Sequence, residues 1–135
     1  MKIATLICLV VFGAAVIAEE ASPPPVFTKE QADAGRAAYA KNCASCHMPD
    51  LTGNGEIPPL AGANFIGTWE HKTTKDLRDY ISAAMPYGQP SLEADTYTVI
   101  AAYVLSFNGA VAGMEKLTPS TNVSIRDVVR LTLRQ

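Results

Sequence analysis

Cys43-Ala44-Ser45-Cys46-His47 spells C-x-x-C-H, the attachment signature of a covalently bound haem. Each residue type has a chemical reason. Two thiols three residues apart lie on one side of a tight helical turn and can add across the two vinyl groups of one porphyrin. The histidine that follows directly is held beneath the ring, where its imidazole can bind iron as the proximal ligand. Other chemistry uses parts of the same pattern. C-x-x-C alone serves a redox dithiol or half of a zinc site. Zinc would need a second Cys/His pair, and the remaining candidates are Cys8 and His71. A redox dithiol normally follows a strand, and no segment before Cys43 has strand character.

The chain has 135 residues, enough for one domain, with a formal charge of −2 and few aromatics. No basic patch or arginine cluster points to nucleic acid or phosphate, and strong electrostatic steering of a partner is not expected. Abundant alanine suits a small helical protein in which a flat prosthetic group replaces part of the side-chain core.

Outward from the motif, Met1-Lys2 followed by the apolar run Ile3–Ile17 reads as a secretory leader, residues 1–18, cleaved after Ala18, with Ala21 the alternative site. Export is therefore expected, to the periplasm by the resemblance drawn below. The run is short for a bilayer span, so membrane attachment arises only if the leader is retained. Cys8 sits within it as a passenger. Residues 19–27 read as a linker because Pro23-Pro24-Pro25 favours an extended stretch.

The spacing predicts a first helix over Lys29–Asn42, capped by Thr28 with Gln31 reaching back. Gly35 costs about 1 kcal/mol relative to alanine inside a helix, which suggests a second helix crossing it closely. From Met48 to Leu60 glycine and proline exclude regular structure, so an irregular loop should wrap the proximal side. There the Pro58 carbonyl can accept from the second nitrogen of His47, and Leu60 can press on the ring.

A second helix is expected over Lys75–Ala84, capped by Thr73 or Thr74, with Leu77, Tyr80, Ile81 and Ala84 on its apolar face. It should stop where Met85 precedes Pro86 and turns extended. On that stiff strap the Met85 thioether is placed to become the distal ligand, although methionine elsewhere is commonly core filler. Met48 adjoins His47 and cannot reach the opposite face. Met114 reads as a surface or packing residue, and His71 as a weaker rival ligand or a solvent-facing loop residue. A third helix is expected over Glu93–Phe107, ending at Asn108-Gly109. Residues 118–135 read as a tail in which Ile125, Val128 and Val129 hint at a short helix.

These residues resemble a class I c-type cytochrome over roughly 28–117. The family's N-terminal helix places a glycine and an aromatic ahead of the first haem cysteine, matched by Gly35, Tyr39 and Cys43. Its C-terminal helix crosses that glycine with an aliphatic and an aromatic residue, matched by Ile100 and Tyr103. Pro58, Leu60 and Gly62 match its P-x-L-x-G loop, and Met85-Pro86 its ligand methionine. The stretch from Trp69 to Gly113 is similar to bacterial periplasmic monohaem cytochromes, including cytochrome domains of quinohaemoprotein dehydrogenases. Where relatives often place Ser or Thr, this chain has Glu93.

The resemblance implies an all-α cytochrome c fold, three main helices around one haem c joined through Cys43 and Cys46, with Trp69 on the haem edge, bonded to a propionate, or simply in the core. It implies an electron carrier rather than an enzyme, with His47 and Met85 as axial ligands. The expected partners are a periplasmic dehydrogenase or terminal oxidase, met transiently. The alternatives are a permanently bound dehydrogenase subunit, or a five-coordinate haem enzyme or gas sensor if Met85 does not bind.

Overall fold

The computed structural model describes residues 22–129. The expected leader and its cleavage point, with Cys8, lie outside them. Among the described residues the fold is helical: α1 (Lys29–Asn42), α2 (Ala44–His47), α3 (Gly62–Trp69), α4 (Thr74–Ala84), α5 (Ala94–Phe107) and α6 (Ile125–Val128). Two isolated bridges, Asn54 with Ile57 and Thr73 with Ser124, are the β-type pairings seen there. No helix among the described residues is long and apolar enough to cross a membrane.

Helix α1 begins as its sequence dictates. The Thr28 side chain accepts from the Gln31 N–H, and the Gln31 side chain accepts from the Thr28 N–H, forming a complete capping box. Gln31 also reaches across the fold. Its amide donates to Leu117 O at 2.8 Å and accepts from Leu117 N–H at 2.8 Å, which ties the start of α1 to a distant loop.

Helices α1 and α5 make the most extensive helix pairing. Gly35 sits at their crossing, where an added Cβ would lie 1.8 Å from Val99 O and 2.8 Å from Tyr103 Cβ. The close crossing expected at Gly35 is therefore present, and Val99 and Tyr103 supply its nearest atoms. Positions 99 and 103 are one helical turn apart and share a face. Ile100 between them is buried, at 1% exposure.

Three segments differ from their sequence reading. Helix α3 falls where no helix is expected. Its cap, Ala61, offers no side-chain oxygen, and Gly62 and Gly67 disfavour helix. Tertiary contacts supply the difference: Phe65, Ile66 and Trp69 are buried on one face, and Asn108 Oδ1 accepts from the Gly62 N–H at 2.9 Å. The linker read over 19–27 ends inside the core, since Val26 and Phe27 are buried and Phe27 O accepts from the Gly113 N–H at 2.9 Å.

The tail read from residue 118 is likewise part of the packed unit up to Val129. Ile125, Val128 and Val129 are buried in the same cluster as Phe65 and Leu77. Buried Thr74 holds the approach to α6. Its hydroxyl donates to Thr121 O at 2.8 Å and accepts from the Val123 N–H at 3.2 Å. Its own N–H donates to Val123 O at 2.8 Å.

Helix α4 starts on a second capping box, Thr73 with Asp76, and ends at Met85, whose φ of −126° and ψ of 146° are extended, as the following proline requires. Helix α5 runs over Ala94–Phe107 with Glu93 as a cap that forms no side-chain bond. It closes through Gly109 at φ 93°, in the left-handed region.

Candidate haem site

Cys43 follows the last residue of α1, and α2 is a single turn that carries Cys46 and His47. Both thiols are free; Cys43 is half-buried against the core and Cys46 is exposed. Burial, with a smaller contribution from Cys46, pushes the Cys43 thiol up to about 11. A thiol–disulfide catalyst needs the opposite, a thiol depressed toward neutrality. Among the described residues no group of three or more His, Cys, Asp or Glu side chains converges to hold a metal ion without a cofactor.

His47 is 7% exposed, and its Nδ1 lies 3.0 Å from Pro58 O. A carbonyl can only accept, so Nδ1 carries the proton and the Nε2 lone pair faces away, available to a metal. The backbone after His47 is shaped to bring Pro58 there. Met48 (φ 66°) and Leu51 (φ 60°) both adopt left-handed geometry. The Met48 carbonyl accepts from Tyr39 OH at 2.7 Å, and the Gly53 N–H donates to His47 O at 3.0 Å. Burial raises the Tyr39 hydroxyl far above its ordinary range, so it stays a neutral donor. Leu51 O then accepts from the Leu60 N–H at 2.8 Å, which closes the loop around the proximal side.

Leu60 is half-buried, and Asn108 Nδ2 donates to its carbonyl at 2.9 Å. Asn108 thus serves two elements, the loop and the start of α3. Its place before Gly109 in the sequence signals only the end of a helix. Trp69 is 9% exposed between Phe65, ring centroids 6.5 Å apart, and Tyr80, 5.4 Å apart. Tyr80 leaves 53% of its surface exposed, more than its place on the apolar face of α4 suggested.

Met85 is half-buried at the C-terminal cap of α4. Its N–H donates to Ile81 O at 2.9 Å and its carbonyl accepts from Tyr97 OH at 2.8 Å. The other two candidates are more exposed. His71 is exposed beside Arg126 Nη2, 3.0 Å from its Nδ1, and Met114 is 93% exposed. The residues present fit a covalent haem. Two unpaired thiols flank one turn, the histidine has one nitrogen satisfied and one open, and Cys43, Ala44, Leu60, Ala61, Ile81 and Leu92 form partly covered apolar surface around the core.

FixP, a subunit of cbb3-type cytochrome c oxidase from Rhizobium meliloti (strain 1021), is 36% identical over 78 residues, covering 56% of this chain. The chain spans only 27% of the length of that relative. Among solved structures, the sulfane dehydrogenase SoxCD from Paracoccus pantotrophus superposes with a TM-score of 0.52 over 84% of this chain and 66% of the other. At 23% identity, that likeness speaks to the fold. The family described as cytochrome c oxidase, cbb3-type, subunit III, matches residues 30–104, from the first turn of α1 to near the end of α5. The chain belongs to that family and is a class I c-type cytochrome.

Proposed function

We propose that this protein carries electrons through one haem c, tethered by Cys43 and Cys46, with His47 Nε2 and the Met85 thioether as axial ligands. The observation that carries the reading is the Nδ1–H of His47 donating to Pro58 O at 3.0 Å. It fixes the neutral tautomer, aims Nε2 outward and raises its basicity as a ligand. The haem, when bound, supplies an iron that gains and loses one electron, at a potential raised by a neutral thioether ligand.

The chain's own residues hold that iron's surroundings constant. His47 is locked by the 48–60 loop and Met85 by its two backbone bonds. Little needs to rearrange when the charge changes. With both axial positions taken by protein, no position is left for a substrate.

The leader-like run Ile3–Ile17 supports export, with a periplasmic protein after cleavage at Ala18. The partner is another redox protein, a dehydrogenase or terminal oxidase. FixP is itself an oxidase subunit, which favours a second reading, a cytochrome held permanently in a complex. Copurification from the native host separates a bound subunit from a free carrier.

The ligand set is tested by the absorption spectrum of ferric holoprotein. His/Met ligation gives a weak band at the red end, and Met85→Ala should abolish it. A native spectrum without the band, or a band that survives Met85→Ala, overturns the assignment. Carbon monoxide binding to the reduced native protein would indicate an open iron position instead.

A further inference from the structure

The strap between α4 and α5 starts at Met85 and lacks regular structure, and residues 87–91 along it are exposed. Gly88 sits at φ 81°, and an added Cβ there would meet nothing within 4 Å. The middle of the strap is thus held by little packing. Its two ends meet at one atom. The Tyr97 hydroxyl donates to Met85 O at 2.8 Å and accepts from the Leu92 N–H at 3.1 Å.

Tyr97 is suited to this task. The residue is 4% exposed near the start of α5, so the hydroxyl projects from a rigid, buried base with little competing water. Donor and acceptor capacities of the phenol are both used. By its spacing alone Tyr97 is one more apolar-face residue of a helix. The hydroxyl gives it a second role.

We infer that Tyr97 is a positioning residue for the distal ligand: by clasping both ends of the strap it keeps the Met85 sulfur presented to the iron. The inference rests on Met85 being that ligand. Phenylalanine would keep the ring packing but leave the Met85 carbonyl and the Leu92 amide without their partner. Opening of the strap then costs less, and an external base competes more successfully for the iron position.

The test uses ferric holoprotein of wild type, Tyr97→Phe and Thr74→Val, the last as a variant destabilised away from the strap. Imidazole is mixed in, and its displacement of the methionine is followed through loss of the red band. Displacement should be at least about tenfold faster in Tyr97→Phe, which loses both hydrogen bonds of the clasp, and unchanged in Thr74→Val. Equal rates in wild type and Tyr97→Phe, or equal acceleration in both variants, overturn the inference while leaving Met85 as ligand. A wild-type protein that lacks the band removes the Met85 assignment and this inference together. If Tyr97→Phe gives no holoprotein, hydrogen exchange of the Leu92 amide in wild type decides: protection supports the clasp, and exchange at the rate of an open loop overturns it.

Discussion

Val99 O lies 1.8 Å from the point where a Cβ on Gly35 would stand, so α1 and α5 touch backbone to backbone. Alanine at position 35 would gain about 1 kcal/mol of helix propensity, but the opposing atom belongs to a helix backbone and cannot swing aside. Gly35→Ala should therefore lower stability by about 3 kcal/mol, at the upper end for an overpacked site. Denaturant unfolding of the purified holoprotein checks this. A variant as stable as wild type would mean that the helices do not cross here.

The Thr74 hydroxyl is the pin between α4 and the C-terminal segment. Thr74→Val keeps the volume but strands Thr121 O and the Val123 N–H, for a loss of about 2 kcal/mol. Ending the chain at residue 117 should cost far more. It uncovers the surfaces that Ile125, Val128 and Val129 bury, each worth about 1.5–3 kcal/mol. Urea midpoints of the two variants should rank in that order. A truncated chain with wild-type stability would show that the segment only lies on the domain.

What the sequence disclosed were features whose causes are local. Thr28 with Gln31 and the stop at Met85-Pro86 each depend on residues within a few positions, and each appears where its chemistry places it. Helix α3 escaped notice because its own residues argue against it; Asn108, far along the chain, supplies the bond that its first glycine lacks. Gln31 was legible as a capping residue but not as the partner of Leu117, and Tyr97 as a packing residue but not as a clasp. In each case one side chain has a near role and a distant one, and only the near role leaves a spacing pattern.

Acid should loosen α4 through its cap. Thr73 N–H and Thr73 Oγ1 both donate to Asp76 Oδ2 at 2.9 Å, and these bonds hold the carboxyl below its ordinary value of 3.8. The folded pKa is thus lower than the unfolded one. The stabilisation is fully present above the unfolded value and is lost as pH falls through the folded value. Melting temperature should fall on acidification below about pH 4. The fall should be shallower in Asp76→Asn, which has no carboxylate at this position to titrate. Parallel curves for the two proteins would assign the acid sensitivity to other carboxylates, such as Asp50 and Asp79, whose values are also lowered.

The segments around the proposed haem carry no Asp, Glu, Lys or Arg from Asn42 to Pro49, from Ile57 to Trp69 or from Tyr80 to Leu92. They form one continuous region. His47 bonds to Pro58, and Trp69 packs edge-on against Tyr80, 5.4 Å between ring centroids. Met48, Tyr80 and Tyr87 of this region are exposed, Tyr87 to 92%. A redox partner that approaches here meets partly apolar surface with few charges, the Lys72 ammonium 5.6 Å from the Trp69 ring centroid among them, so screening has little charge to act on. Electron transfer between this protein and the proposed redox partner should change by less than about twofold from low to physiological ionic strength. Introducing a charge, as in Tyr87→Lys, should make the rate salt-dependent while the spectrum stays that of wild type. A wild-type rate that falls steeply with salt would move the contact to a charged part of the surface, away from this region.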